Sequence, residues 1–228
     1  MAHRAWNKGL TREISPGLAR IAEARRARSN FMHWRKANPV RYAFLKRDTN
    51  LAFFIGLVLG DGNIYKSART ESLTLALGTD KPALWQYAAA VIEKIFDKKP
   101  YVAKIKASEC MRVRIYQKHI SDRLGIPAGA RGKLKVEVPR WINENKDFLV
   151  AYIKGLFEAE GSFCIHLPTC TYNFAFANRN ESLLNIVEKS LLRLGFTPRR
   201  RPCNIALRKR KEALDFEKLI SFRKYPRI

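Results

Sequence analysis

The chain has 228 residues, enough for one large domain or two small ones, and its hydrophobic fraction of 46% is typical of a globular protein. It carries 44 Lys and Arg against 20 Asp and Glu, a formal net charge of +24. This excess indicates a polyanionic partner, and the aromatic content of 11% argues against a disordered basic tail protein. Charge alone does not distinguish DNA from RNA.

The sequence predicts an intracellular protein without a membrane partner. The longest apolar run, residues 51–60, is about half of what a membrane span needs, and the first residues contain no apolar signal-peptide core. Four cysteines form no CxxC pair and no obvious disulfide framework, which suits a reducing compartment. We expect the cytoplasm or nucleoid, or an organelle if the source is eukaryotic.

Residues 1–47 are a basic arm with twelve Lys or Arg and two Glu. Ser15 and Pro16 predict the start of an Ala- and Arg-rich helix at residues 17–28, with Arg20, Arg25 and Arg28 on one face. Two interpretations remain open at this point. The arm is either a solvated, partly disordered segment or a module that contacts nucleic acid.

The rest of the chain repeats one order of elements, at residues 48–124 and 146–228, around a basic linker at 125–145. The first copy predicts a helix at 51–60 capped from residues 48–50, strands at 63–68 and 72–77, a helix at 80–97, strands at 101–106 and 110–117, and a short helix at 119–124. The second predicts a helix at 146–159, strands at 162–166 and 172–177, a helix at 181–194, a basic stretch at 198–202, a strand at 204–208 and a helix at 212–221. The duplicated αββαββα order predicts an α+β fold with antiparallel sheets.

Both copies contain the same nine-residue motif, at residues 54–62 and 153–161. Each motif ends in an acid followed by Gly, and the two acids, Asp61 and Glu160, are 99 residues apart. An internal repeat that ends in matched carboxylates predicts two half-domains that meet at one two-carboxylate site.

Small residues lie four positions apart in each motif: Gly56 and Gly60 in the first, Gly155 and Ala159 in the second. Residues at this spacing share a helical face, and small side chains let two helices approach backbone to backbone. The alternative is that the glycines only avoid a neighbouring sheet. Their occurrence in both copies favours a dyad of packed helices.

In a parallel dyad the two acids would lie side by side at helix C-termini. Like charges repel there, and the helix dipole adds partial negative charge. Divalent cations would offset this charge, and carboxylate and phosphate oxygens are typical ligands of Mg²⁺. A basic protein with such a site is a candidate for phosphodiester hydrolysis.

Over about residues 48–228, the paired motif resembles the LAGLIDADG homing endonucleases in their single-chain, two-motif form. The resemblance implies a duplicated αββαββα fold with sheets that form a DNA saddle, a monomer, and Mg²⁺ or Mn²⁺ as cofactor. It implies cleavage of both strands of a long double-stranded DNA site, leaving short 3′ overhangs. Asp61 and Glu160 become the catalytic metal ligands, with Gly60 and Ala159 beside them in the metal site. The sixth motif position, Leu59 or Glu158, is not the family's main metal ligand.

The chain's opening residues 6–9, Trp-Asn-Lys-Gly, resemble modular DNA-binding repeats that occur beside homing nucleases. Around the acids, Lys118 and Lys209 are further candidate catalytic residues at the ends of the fourth strands, with phosphate contact or a solvated charge as the alternatives. Strand ends and outward strand positions supply DNA-binding candidates, because a two-stranded ribbon fits the major groove. These candidates are Lys66, Arg69, Thr79, Lys81, Lys104, Arg112, Arg114, His166, Asn178, Arg179, Arg199, Arg200, Arg201, Arg208 and Arg210.

Three functions are compatible with this pattern. The first is an intron-encoded homing endonuclease, favoured because binding alone has no use for paired acids facing a phosphate. The second is a maturase that binds its own intron RNA and assists splicing. The third is a DNA-binding regulator that keeps the fold without cleavage.

Overall fold

The structure, a computed structural model, describes residues 9, 11, 13–27, 42–106, 108–130, 132 and 134–226. The chain divides into two units, Met1–Ala43 and Phe44–Ile228. The first unit contains helix α1, Pro16–Ala27, whose start is capped by the Ser15 hydroxyl through the Leu18 N–H at 3.5 Å. The predicted motif at residues 6–8 and the predicted helix position Arg28 lie outside the described residues.

The second unit begins with a half-domain in the predicted order. Its elements are α2 (Thr49–Asp61), β1 (Gly62–Lys66), β2 (Glu71–Gly78), α3 (Pro82–Phe96), β3 (Tyr101–Lys104), β4 (Cys110–Gln117) and α4 (Ile120–Leu124). The strands form an antiparallel sheet in the order β1-β2-β4-β3.

A short helix, α5 (Arg140–Asn143), precedes the second half-domain. This half contains α6 (Lys146–Glu160), β5 (Gly161–His166), a 3₁₀ turn at Leu167–Thr169, β6 (Thr171–Ala177), α7 (Glu181–Arg193), β7 (Arg199–Arg201), β8 (Asn204–Leu207) and α8 (Arg210–Ile220). Its antiparallel sheet has the matching order β5-β6-β8-β7. The α+β fold class and the duplication are confirmed.

The two motif helices start at capped ends. The Asp48 carboxylate accepts the Leu51 N–H at 2.9 Å, and the Asn145 side chain accepts the N–H groups of the second and third residues of α6. Every residue of α2 from Leu51 to Leu59 is buried. A helix that is apolar on all sides is stable only inside a core, so α2 lies at the centre of this unit.

The sheets cover these helices with one face each. On β2, Leu73, Leu75 and Leu77 are buried, whereas the alternating residues between them are more exposed. In the second half, aromatic rings replace the leucines: Phe157 of α6 lies 5.3 Å from Phe174 and 4.9 Å from Phe216, between ring centroids. On the opposite face of the first sheet, Thr74, Ala76 and Arg114 are at least partly exposed.

The structure differs from the predicted elements around residues 198–210. Three consecutive arginines show no apolar alternation, yet residues 199–201 form β7 because their backbone pairs with β8. Strand β8 ends at Leu207, and α8 begins at Arg210, two residues earlier than predicted. In the described part of the chain, no helix has both the length and the apolarity needed to cross a membrane.

Candidate active site

Helices α2 and α6 touch through the small residues of the two motifs. A Cβ atom added at Gly56 would lie 2.1 Å from the carbonyl oxygen of Tyr152, and one at Gly155 would lie 2.0 Å from that of Phe53. At Gly60 it would lie 2.3 Å from the Cβ of Ala159. These distances are far inside van der Waals contact, so the two backbones approach as closely as glycine permits.

The contacts across this dyad are reciprocal. Gly56 meets Tyr152 and Leu156, while Gly155 meets Phe53 and Leu57. Each pair of partners is related by the same shift of 99 residues that separates the two motifs. An interface in which residue i meets j and j meets i is that of a two-fold axis. Because the contacts advance in the same direction along both helices, α2 and α6 are parallel.

Asp61 and Glu160 are the last residues of these parallel helices, so their carboxylates meet at one end of the dyad. Burial and the negative charge of Glu160 raise the pKa of Asp61 from 3.8 to about 7, and nearby Lys81 acts against this rise. Burial also raises the pKa of Glu160, opposed by a hydrogen bond from the Asn178 side-chain amide to its Oε1 at 3.1 Å. The pair resists full ionisation unless positive charge is added.

Such a pair fits a hard divalent cation. Its atoms are carboxylate oxygens, the ligands that Mg²⁺ and Mn²⁺ prefer, and a cation would remove the electrostatic cause of the raised pKa. Among the described residues, no three or more His, Cys, Asp and Glu side chains come together. A cation held by Asp61 and Glu160 would therefore take its other ligands from backbone carbonyls, phosphate oxygens or water, and the place of Gly60 and Ala159 in the metal site stays a prediction.

Two strand-end candidates, Lys81 and Asn178, lie at the acids, as the electrostatic and hydrogen-bond contacts above show. Arg179 lines a cleft of about 520 Å³ beside Gly60. Thr79 is engaged elsewhere, since its hydroxyl donates to the Glu109 carboxylate at 3.0 Å.

The structure does not bring Lys118 to the acids, which corrects its predicted catalytic role. Strand β2 ends near the acids, because Leu75 pairs with Gly62, the residue after Asp61. Strand β4 runs antiparallel to β2 and carries the chain away from that end to Gln117. Val113 of β4 pairs with Leu75, and Lys118 follows five residues later, about 17 Å along the strand direction, at the far end of the sheet.

Lys209 also lies away from the two acids, because its strand runs away from them. Its strand, β8, starts beside Ala177, close to Asn178, and also runs away from the acids. The Lys209 ammonium donates to Thr197 Oγ1 at 2.8 Å and pairs with Glu212 at 3.0 Å. It therefore anchors the start of α8 instead of reaching the carboxylate pair.

The exposed faces of the sheets carry part of the predicted DNA-binding set. In the first sheet, Arg112 and Arg114 share the face of Thr74, and Arg114 donates through Nε to Thr74 Oγ1 at 2.7 Å and through Nη1 to the Tyr116 hydroxyl at 3.1 Å. In the second sheet, Arg199 and Arg201 are the first and last residues of β7, and both are exposed. Arg208, just beyond β8, is also exposed.

Two predicted DNA contacts, Arg200 and Arg210, turn towards other side chains of the protein instead of the exposed face of the sheet. Arg200 alternates with its neighbours and turns towards helix α7, where Nη1 binds Glu188 at 2.7 Å and Nη2 pairs with Glu181. Arg210 is the first residue of α8, and its guanidinium lies over the ring of buried Tyr172 at 5.3 Å. Arg208 and Arg210 thus do not share a strand face as expected.

The remaining candidates are exposed around the rims of the sheets. Lys104 pairs with Glu109 at 3.1 Å, and His166 Nδ1 lies 2.6 Å from Thr169 Oγ1. Lys66 ends β1, and Arg69 lies in the turn that follows. These positions suit contact with a phosphate backbone better than base recognition.

Sequence analysis missed two parts of the site. The linker lies against the acids' end of the first sheet, with the Gly129 N–H donating to the Ile64 carbonyl at 2.9 Å. It also lines the cleft beside Gly60 through Gly129 and Gly132. A loop of Gly and basic residues has no periodicity that would show where it packs, so no local signal could have placed it.

The second missed part explains the sixth motif position. Glu158 is 2% exposed and accepts the Arg223 N–H at 2.6 Å and the Tyr225 hydroxyl. Burial raises the pKa of Glu158 despite these bonds. Tyr225 in turn stacks on Tyr87 of the first half at 5.2 Å. Glu158 therefore secures a segment that joins the two halves, a role that Leu59 cannot perform.

Two antiparallel sheets around a parallel pair of helices, each ending in an acid, are the arrangement of the LAGLIDADG fold. Residues 147–221 match the family model described as a LAGLIDADG-like domain, which confirms the LAGLIDADG resemblance for the second half-domain. The solved structures carry the fold over more of the chain.

Variants of the homing endonuclease I-DmoI share 20% identity and a TM-score of 0.54, covering 75% of this chain and 94% of theirs. I-DmoI in complex with DNA and Mn shares 17% identity and a TM-score of 0.53, over 75% of this chain and 96% of that one. The N-terminal LAGLIDADG domain of DUF199/WhiA shares 15% identity and a TM-score of 0.51, over 79% and 86%. No curated protein matches the sequence significantly.

Proposed function

We propose that this protein is a site-specific homing endonuclease that hydrolyses both strands of a long double-stranded DNA target. The observation that carries the proposal is the pair of half-buried carboxylates, Asp61 and Glu160, brought together by a helix contact that only small residues allow. Two neighbouring carboxylates repel each other, and this repulsion would be neutralised if they bind cations that also contact the phosphate groups of a substrate. An intron-encoded origin, short 3′ overhangs and monomeric action belong to the same proposal.

The surrounding charges support a DNA substrate. The chain has a net charge of +24, and Arg112, Arg114, Arg199 and Arg201 lie on the exposed faces of the sheets that extend from the acids. A phosphate backbone would neutralise these arginines, and base edges would meet the polar residues between them. The structure of I-DmoI in complex with DNA and Mn provides a precedent for this fold on DNA with a divalent metal.

Each residue of the site has a distinct part in the proposed reaction. A bound Mg²⁺ or Mn²⁺ would polarise the phosphate and make water nucleophilic at neutral pH. Asp61 and Glu160 would hold the cation, whose positive charge would offset the burial and repulsion that raise the pKa of these carboxyl groups. Asn178 orients the Glu160 carboxylate, and Lys81 adds positive charge near Asp61. The glycine contacts keep both acids at fixed positions.

The test uses the genomic sequence that flanks the coding region, joined as it would be without an intron. Wild type should cut both strands of this duplex with Mg²⁺ or Mn²⁺ and stop when EDTA is added. Asp61→Asn and Glu160→Gln should bind the duplex and make no double-strand break. Asp215→Asn, an exposed acid on α8, serves as the matched control and should cut like wild type.

The alternatives give different results. A protein that binds the duplex but cuts neither strand with either metal is a DNA-binding regulator, and the endonuclease proposal fails. Faster splicing of the precursor RNA without DNA cleavage identifies a maturase. Double-strand cleavage that persists in both acid variants would show that the chemistry lies elsewhere.

A further inference from the structure

A chain of hydrogen bonds connects the linker to Glu160. The Asn178 side-chain amide donates to Glu160 Oε1 at 3.1 Å, and its Oδ1 accepts the Asn180 N–H at 2.8 Å. The Asn180 side chain then donates through Nδ2 to the carbonyl oxygen of Leu134 at 3.0 Å. Three contacts thus lead from the linker backbone to a proposed metal ligand.

The direction of each bond in this chain is determined by chemistry. A backbone N–H can only donate, so the Asn178 atom that faces the Asn180 N–H must be its oxygen. The other end of the same amide is then an NH₂ group, which faces Glu160 as a donor. Asn178 cannot rotate its amide without losing both bonds, so the position of Asn180 determines how Glu160 is held.

Asn180 is itself fixed on several sides. It is 6% exposed and caps α7, with its Oδ1 accepting the N–H groups of Ser182 and Leu183 at 2.9 and 3.2 Å. Next to it, the Ser182 hydroxyl accepts the Val136 N–H at 2.8 Å and donates to the Val136 carbonyl at 2.7 Å. The linker is therefore attached to the start of α7 at two neighbouring points.

The linker is also attached to the first half. The Gly129 N–H donates to the carbonyl oxygen of Ile64 on β1, three residues after Asp61. Gly129, Ala130 and Gly132 of the linker line the cleft beside Gly60, next to the end of the dyad where the two acids lie. A displacement of β1 would therefore reach Glu160 through covalent chain and hydrogen bonds.

The first half has a different arrangement at the equivalent positions. In the repeat, where equivalent residues are 99 positions apart, Thr79 is the equivalent of Asn178, and Lys81 is the equivalent of Asn180. The Thr79 hydroxyl donates to Glu109, and among the described residues the Lys81 side chain forms no capping bond at the start of α3. The hydrogen-bonded chain thus belongs to the Glu160 half.

We propose that Asn180 is a positioning residue for Glu160, and that Leu134 and Val136 of the linker are part of the active site because they hold the start of α7 and Asn180 in place. The proposal rests on the endonuclease function proposed above. The proposal predicts that the two acids respond differently. Weakening the linker contacts should disturb the position of Glu160 more than that of Asp61. Cutting of one DNA strand should slow, while the other strand is cut nearly as before.

The test variant is Asn180→Ser. Serine caps helices as well as asparagine does and adds no charge, but it is too short to reach the Leu134 carbonyl. Asn145→Ser is the matched control, since Asn145 caps α6 with the same pair of backbone bonds, at 2.9 and 3.1 Å. Ser182→Ala is a second test variant, which removes the neighbouring linker contacts and leaves Asn180 unchanged.

The measurement is single-turnover cleavage of a plasmid target with each strand labelled separately. We expect Asn180→Ser to cut one strand about fivefold more slowly than wild type, the factor that loss of one ordinary hydrogen bond corresponds to. Nicked circles should then accumulate, Ser182→Ala should slow the same strand, and Asn145→Ser should keep the wild-type ratio. Thermal unfolding monitors whether each variant is folded.

The inference is overturned if both test variants keep the wild-type strand ratio, or if they slow both strands equally, as a purely structural role would. It is also overturned if the two variants affect opposite strands, or if Asn145→Ser changes the ratio as much as Asn180→Ser. These results all require a wild-type protein that cuts. If wild type does not cut, the proposed function itself fails, and the two failures are thus distinguishable.

Discussion

Replacing Asp61 by Asn is expected to stabilise the metal-free protein while it abolishes double-strand cleavage. Asp61 has a pKa raised from 3.8 to about 7 by burial and by the charge of Glu160. A carboxyl group with a higher pKa in the folded state binds its proton more tightly there than in the unfolded chain. Stability is therefore lost as pH rises from about 4 to about 7, and it stays low above that range. Asparagine carries no charge and avoids this loss.

The size of the effect follows from the pKa difference. About three pKa units at about 1.4 kcal/mol each give a ceiling of about 4 kcal/mol, and partial exposure to solvent reduces it to about 2–4 kcal/mol. For a protein of this length, each kcal/mol changes the melting temperature by about 2–4 °C. At pH 4.5, less than one pKa unit above the ordinary value of 3.8, the same pKa difference contributes only about 1 kcal/mol, so the advantage of the variant should fall to about that size.

The assay is chemical denaturation of wild type and Asp61→Asn at pH 4.5 and pH 8, with EDTA and then with Mg²⁺. Mg²⁺ should stabilise wild type at pH 8, because it binds the folded carboxylates, and should have less effect on the variant. Asp215→Asn, in which an exposed acid is changed, should be no more stable than wild type in EDTA, and Mg²⁺ should stabilise it as it does wild type. The reasoning is refuted if Asp61→Asn is no more stable than wild type in EDTA at pH 8, or if its advantage is the same at both pH values.

Three further predictions concern other parts of the molecule. Gly155→Ala should lower the free energy of unfolding by about 1–3 kcal/mol or more, because its Cβ would lie 2.0 Å from a carbonyl oxygen of α2, whereas Gly132→Ala, with nothing within 4 Å, should have little effect in the same denaturation experiment. Arg201→Ala should reduce the slope of log K against log salt for DNA binding by about 0.9, while Arg200→Ala, which faces α7, should leave the slope unchanged and lower the melting temperature instead. Tyr225→Phe removes a hydroxyl that donates to buried Glu158 and should destabilise the protein by about 1–3 kcal/mol; an unchanged unfolding curve would contradict the described contact.

The repeat allowed much of the fold to be predicted. Two motifs with small residues four apart and matched acids indicate two helices that meet, and the alternation of Leu73, Leu75 and Leu77 indicates a strand with one buried face. These are local periodicities, and the regular geometry of a helix or a strand puts residues with such a period on one face of the element. The strand β7 was not predicted, since its arginines have no such pattern and only pairing with β8 makes them a strand.

The candidate site was predictable only where the motif itself supplies the residues. Asp61 and Glu160 follow from their positions in the repeat, but the residues around them depend on sheet direction and strand parity. Antiparallel pairing carries Lys118 and Lys209 away from the acids, and alternation turns Arg200 towards α7. Neither fact is contained in residue type or spacing.

The sequence by itself determined the duplication, the αββαββα order and the pairing of Asp61 with Glu160, because a repeat and its helical spacing are written in neighbouring residues. Tertiary structure alone decided that Asn178 holds Glu160, that Asn180 connects it to the linker, and that Glu158 secures residues 222–226. Those contacts join residues between 18 and 65 positions apart in sequence. Their partners are selected by how two half-domains and a linker pack together, which local periodicity does not encode.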